Sequence, residues 1–111
     1  MNVGSLGGNI SNSGTISAST IGIYVGSGVT FGPGNAIVNT GTIIGGIDAI
    51  DLKLATSAVT IDQMSGLISG AIKLSANADV LNIFGGTIAG NIVGQGSSNT
   101  LNFNLGSGTF T

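Results

Sequence analysis

The chain has 111 residues, room for one domain of the common ~100 to 150 residue size and not for two. It carries 21 glycines, one proline, 41% hydrophobic residues and only 5% charged and 5% aromatic residues, with no cysteine or histidine and a net charge of −2. Disulfides and Ser/His or Cys/His catalysis are therefore out of reach, transition-metal sites lack their usual ligands, and nucleic-acid binding lacks the clustered Lys or Arg that phosphates require.

A disordered chain would be poor in apolar residues and rich in net charge, the reverse of this one. Glycine punctuates short Ile/Val/Leu/Thr runs without a three-residue period, which removes collagen. No apolar run reaches the ~18 residues of a membrane-spanning helix. The start, Met1 to Ser5, has no basic region ahead of an apolar stretch, so it does not read as a secretory signal. Absence of cysteine suits either the cytosol or an exported chain; if the protein is exported, this segment is expected to be internal to a longer chain.

Residues 1 to 9 are glycine-rich and are read as a partial earlier coil or a frayed end. From Ile10 a repeat emerges. I-x-N-S-G-T-I at Ile10 to Ile16 returns as I-x-N-T-G-T-I at Ile37 to Ile43, and the same slot is filled by Ser65-Gly66-Leu67-Ile68, Gly85-Gly86-Thr87-Ile88 and Ser107-Gly108-Thr109-Phe110. Ala49-Ile50-Asp51-Leu52 likewise returns as Ala71-Ile72-Lys73-Leu74. The marker glycines Gly14, Gly41, Gly66, Gly86 and Gly108 recur at intervals of 27, 25, 20 and 22 residues, inside the ~20 to 50 residue range of stacked supersecondary units. Each coil is predicted to hold three short strands. The first has Gly14 to Ile16, Ile21 to Val25 and Val29 to Phe31, with the sole proline, Pro33, at the corner that follows. The second has Gly41 to Ile43, Ala49 to Leu52 and Val59 to Ile61. The third has Gly66 to Ile68, Ala71 to Leu74 and Val80 to Ile83. The fourth has Gly86 to Ile88, Asn91 to Val93 and Thr100 to Phe103, and Gly108 to Phe110 opens a fifth. Period-two alternation and β-branched residues favour strand over helix throughout.

The predicted fold is all-β: a single-stranded parallel β-helix, or β-solenoid, of four to five coils spanning 1–111. Like positions then stack at ~4.8 Å along the axis. Three inward columns are expected: Ile16, Ile43, Ile68, Ile88 and Phe110; Ile23, Ile50, Ile72 and Ile92; and Phe31, Ile61, Ile83 and Phe103. Asn12 over Asn39 is expected to add a side-chain amide ladder at one corner.

Laid out this way, N-S-G-T-I, N-T-G-T-I, A-I-D-L and the run Asn99 to Phe103 leading to Gly106 to Phe110 resemble the degenerate repeats of bacterial autotransporter passenger domains, over almost the whole chain from Asn9. The resemblance implies a right-handed β-helix displayed outside a Gram-negative outer membrane as a stalk or adhesin. It also implies a host-surface or polysaccharide ligand, and a membrane barrel encoded outside this segment. No cofactor is expected.

Asp51 and Lys73 occupy one slot in consecutive coils. They are read as an outward cross-strand ion pair, with a polar ligand site as the competing reading. The four acids, Asp48, Asp51, Asp62 and Asp79, are expected at different corners, with only Asp48 and Asp51 able to approach each other and no third group to orient them, whereas glycoside hydrolysis needs two carboxyls within about 5 to 10 Å. A non-catalytic role is therefore expected, with a polysaccharide-active enzyme as the weaker alternative. Gly26-x-Gly28 and Gly94-x-Gly96 read as corners and not phosphate loops, since neither opens a helix. A threonine column of Thr15, Thr42, Thr87 and Thr109, interrupted by Leu67, reads as outward strand positions and not as an ice-binding face. Neither terminus carries an evident cap, so a fibre subunit polymerising end to end is the second functional expectation.

Overall fold

Short β-branched runs cut by glycine every few residues favour extended backbone. The computed structural model describes residues 2–3, 9–31, 36–96 and 98–105, and these contain strands and turns but no helix. In chain order the strands are β1 (Asn2–Val3), β2 (Ile10–Asn12), β3 (Thr15–Ala18), β4 (Ile21–Val25), β5 (Ile37–Asn39) and β6 (Thr42–Asp51). Then come β7 (Thr60–Gln63), β8 (Leu67–Lys73), β9 (Val80–Ile83), β10 (Thr87–Ala89), β11 (Ile92–Val93) and β12 (Thr100–Phe103). All pairing is parallel. One sheet stacks β2, β5, β7, β9 and β12 in that order. The other supplies two legs. β3, the start of β6, the start of β8 and β10 form leg one; β1, β4, the ends of β6 and β8, and β11 form leg two. Each coil runs through one strand of the first sheet, then leg one, then leg two, and the chain is a β-solenoid of about four turns.

Residues a coil apart lie over one another. On leg one Ile16 pairs with Ile43, Ile43 with Ile68 and Ile68 with Ile88. On leg two Ile23 pairs with Ile50, Ile50 with Ile72 and Ile72 with Ile92. Ile23, Ile43, Ile50, Ile68 and Ile72 are fully buried and belong to one apolar cluster, against which Ile16, Ile88 and Ile92 pack. Leg two also carries a bulge: Asp48, not Ala49, stands opposite Ala71, while Ile50 and Asp51 meet Ile72 and Lys73.

The third expected column needs correction. Ile61 pairs with Ile37 and Leu81, whereas Ile83 pairs with Gln63 and Phe103. The observed columns are Ile10, Ile37, Ile61, Leu81 and Leu101, and Asn12, Asn39, Gln63, Ile83 and Phe103. Phe31 is in neither; it lies outside the strands, half-buried, and packs against the core with Val29. The strand stacked on Thr60–Gln63 is Ile37–Asn39, from the I-x-N-T-G-T-I unit, and not Val29 to Phe31. The turn read at Gly32 to Asn35 and the fifth-coil residues Gly108 and Phe110 lie outside the described residues.

Two features hold the corner between β5 and β6. Thr42, Leu67 and Thr87 donate their backbone N–H to the carbonyls of Gly14, Gly41 and Gly66. A Cβ on Gly41, Gly66 or Gly86 would press into the carbonyl of the glycine one coil before, so the marker glycines recur because backbone stacks on backbone there. Beside them Asn12 Nδ2 donates to Asn39 Oδ1 at 2.9 Å and Asn39 Nδ2 donates to Gln63 Oε1 at 2.8 Å. Gln63 Nε2 turns to the carbonyl of Gly66 at 3.2 Å, and the amide column ends where Ile83 takes its slot. The amides are buried, yet each is satisfied by its neighbour.

Chemical denaturation tests this arrangement. Ile50→Ala should lower stability by about 2 to 5 kcal/mol, as for other fully buried large aliphatics. Gly41→Ala should be clearly destabilising, while Gly14→Ala, where a Cβ meets nothing within 4 Å, should leave the midpoint within experimental error.

Candidate functional site

With histidine and cysteine absent, polar chemistry in this chain falls to its aspartates, two lysines and the amides around them. Leg two carries the first cluster. One column in register on this leg runs Asn2, Tyr24, Asp51, Lys73 and Val93. Asp51 and Lys73 are thus cross-strand neighbours, but they are not the ion pair. Lys73 Nζ lies 3.2 Å from Asp48 Oδ2, while Asp51 Oδ1 turns back to accept the backbone N–H of Lys53 at 2.9 Å.

The bulge at Ala49 explains the exchange. It sets Asp48 opposite Ala71, two residues before Lys73, and the small Ala71 side chain leaves the carboxylate in reach of the ammonium. Asp51 stands at the end of β6, where the chain must turn, and an aspartate satisfies such a turn by bonding its own backbone two residues on. Both carboxylates are buried, at 3% and 7% exposure, whereas the Lys73 side chain is 32% exposed. Asp48 Oδ1 has no hydrogen-bond partner, and it is the sole buried side-chain oxygen in that state among the described residues. A carboxylate in this position depends on Lys73 for its compensation.

A second cluster closes the corner between leg two and the first sheet. Asp79 is fully buried; Oδ1 accepts the backbone N–H of Val59 at 2.9 Å, and Oδ2 accepts Ser75 N at 2.6 Å and the Ser75 hydroxyl at 2.7 Å. Asn99, one coil on, continues the fastening: its Oδ1 accepts Asp79 N at 3.0 Å and its Nδ2 donates to Ser75 O at 3.1 Å. Asn77 Nδ2 reaches back to the carbonyl of Ala55 at 2.9 Å. Three successive coils are tied here by one carboxylate and two amides. Sequence reasoning missed this corner, although the signal was present: Asp79 and Asn99 stand 20 residues apart, the same spacing that separates Asn82 from Asn102.

Asp62 sits in a third place, on the outer face of the first sheet. Asn82 Nδ2 donates to Asp62 Oδ1 at 2.9 Å and Asn102 Nδ2 donates to Asn82 Oδ1 at 2.9 Å. This second ladder is partly exposed. Among the described residues no group of three or more acidic, histidine or cysteine side chains is placed to hold a metal ion, and no helix is long and apolar enough to cross a membrane.

Chemically, then, three acids join coils, Asp48 through Lys73, Asp62 through Asn82 and Asp79 through Val59, while Asp51 accepts the Lys53 N–H of its own turn. No family model matches the chain, and neither does any curated protein or solved structure.

Unfolding measurements should rank these acids. Asp79→Ala strands three buried donors at ~1 to 3 kcal/mol each and should be the most disruptive. Lys73→Met, which leaves Asp48 buried and uncompensated, should fall between the ~1 kcal/mol of a surface pair and the ~3 to 5 kcal/mol of a broken buried one. Asp51→Asn keeps the acceptor for Lys53 and should stay within about 0.5 kcal/mol.

Proposed function

We propose that this chain is a non-catalytic structural segment of an extracellular β-solenoid, a rigid stalk or adhesive surface like those of autotransporter passenger domains. One observation carries the reading: every carboxylate is already engaged by the chain itself, Asp48, Asp62 and Asp79 across coils and Asp51 in its own turn, at three separate places on the solenoid. A chain built only of coil-on-coil contacts is stiff along its axis and can fold by adding one coil to the last. Such growth suits a protein delivered across a membrane from one end, and the lack of cysteine keeps the unfolded chain free of disulfides in transit. Next to the buried Asp62, the more exposed Asn82 and Asn102 offer side-chain amides about 4.8 Å apart, a spacing suited to the hydroxyls of a polysaccharide or a glycosylated host surface.

Placing the chain between an export signal and an outer-membrane barrel tests this. The wild type should reach the surface of a Gram-negative cell as a protease-resistant unit, and Asp79→Ala should be degraded. Retention of the intact wild-type segment inside the cell would count against the reading. So would release of reducing ends from an acidic polysaccharide by the purified chain, if Asp48→Asn abolished it.

A further inference from the structure

Of the chain's two basic residues, Lys53 is exposed in the turn after β6, whereas Lys73 is held at the end of β8 against a buried acid. Its Nζ lies 3.2 Å from Asp48 Oδ2, so Asp48 Cγ is no more than one C–O bond further away. Groups poised to react stand about 3 to 3.5 Å apart. Asp48 is fixed in its place: it is 3% exposed, and the bulge in β6 seats it opposite the small Ala71. Its other oxygen, Oδ1, is the buried side-chain oxygen left without a hydrogen-bond partner among the described residues. A second carboxylate stands alongside. Asp51 is the cross-strand neighbour of Lys73, about 4.8 Å away along the axis, and is 7% exposed. Its Oδ1 accepts the Lys53 N–H, which leaves Oδ2 to carry a proton.

An ion pair accounts for one oxygen of Asp48 and not for the other. A charged carboxylate oxygen that is desolvated and unpaired is costly, and a neutral carbonyl oxygen in the same place costs less. We infer that Lys73 Nζ and Asp48 Cγ form an intramolecular amide, an isopeptide cross-link between the coil of β6 and the coil of β8.

The lysine ammonium first gives one proton to Asp48 Oδ2, its partner in the ion pair, which leaves an amine beside a neutral acid. The Nζ lone pair then attacks Cγ. Asp51 Oδ2 takes a second proton from Nζ and returns it to the Asp48 Oδ2 hydroxyl. As the Cγ–Oδ2 bond breaks, one water departs and Oδ1 remains as the amide carbonyl. One ammonium and one carboxylate thus become one amide and one water, and Asp51 ends as it began. Holding the two groups in contact removes the entropy of bringing them together, and the 32% exposure of the Lys73 side chain gives the water a way out. The cross-link forms once in each molecule, without turnover. It does not rest on the stalk reading, since it would brace a solenoid of any use.

Intact mass of the purified, folded chain tests this directly. The wild type should be lighter than its sequence by one water, whereas Lys73→Arg, which keeps the charge but offers no free amine, should have its full mass. Trypsin can cut only after Lys53 and Lys73, because the chain has no arginine. From the unfolded wild type it should release one branched species, residues 1–53 joined to 54–111 through Asp48 and Lys73, where a chain held by the ion pair alone gives three separate peptides. Asp51→Asn should fold normally yet accumulate at full mass and cross-link slowly, a readout that would not move if Asp51 served only its turn. A folded wild type that keeps its full mass through prolonged incubation at neutral pH would overturn the proposal, as would loss of water that persists in Lys73→Arg. Cross-linking of Asp51→Asn at the wild-type rate would overturn the role given to Asp51. Should Lys73→Arg fail to fold, the wild-type digest decides alone.

Discussion

Everything in this protein depends on like residues lying one coil apart in parallel register. A strand on any side of the solenoid has the same neighbours above and below, so its backbone groups are satisfied by the preceding and following coils. Its inward side chains meet side chains of the same kind. Ile43 between Ile16 and Ile68, and Ile50 between Ile23 and Ile72, are fully buried because each is sandwiched along the axis as well as surrounded across it. A single coil would bury little; the stack makes one continuous apolar interior, which is why a chain with so few charges and aromatics has a core at all.

Register also dictates where glycine and amide residues must stand. At the corner between the first sheet and leg one, backbone lies so close on backbone that Gly41, Gly66 and Gly86 leave no room for a Cβ. The same closeness makes buried asparagine tolerable. Asn12 donates to Asn39 and Asn39 to Gln63, so the buried amides satisfy one another. Where the ladder stops, Gln63 turns its amide to backbone carbonyls and an isoleucine takes the next slot. Stacking completes what each coil begins: Asn12, Asn39 and Gln63 each donate to a carbonyl of their own coil, and Asn12 and Asn39 also donate to the amide of the next.

Stacking also engages the polar side chains. Asp79, Asn99, Ser75 and Asn77 form the densest polar cluster among the described residues, and its bonds run between coils and to backbone. The Asp48 and Lys73 pair is likewise a brace across two coils, forced by a bulge. Among the described residues, what the molecule offers outward includes small polar side chains repeated from coil to coil, such as Asn82 and Asn102.

The repeat itself was legible in the residues. Ile16, Ile43, Ile68 and Ile88 stack because G-T-I and its variants can be aligned by their glycines, and Ile23, Ile50, Ile72 and Ile92 because a period-two run admits one inward phase there. The first sheet was not legible to the same depth. In Val80–Ile83 both Leu81 and Ile83 point inward, so alternation allows two registers that differ by two residues, and pairing isoleucine with isoleucine selects the wrong one. The true register is set by contacts far apart in sequence: the Asp79 and Asn99 corner, and Ile37–Asn39 arriving under Thr60–Gln63 after a long connection. The ionic partner of Lys73 was hidden for a similar reason, because a one-residue bulge is invisible to a pattern that counts every residue equally. Short-range pattern thus determined the kind of fold, the repeat and the faces of the strands, all of which follow from local alternation and glycine placement. Only the tertiary structure decided which residue meets which across the coils, because that choice is made by side chains twenty or more residues apart competing for the same place along the axis.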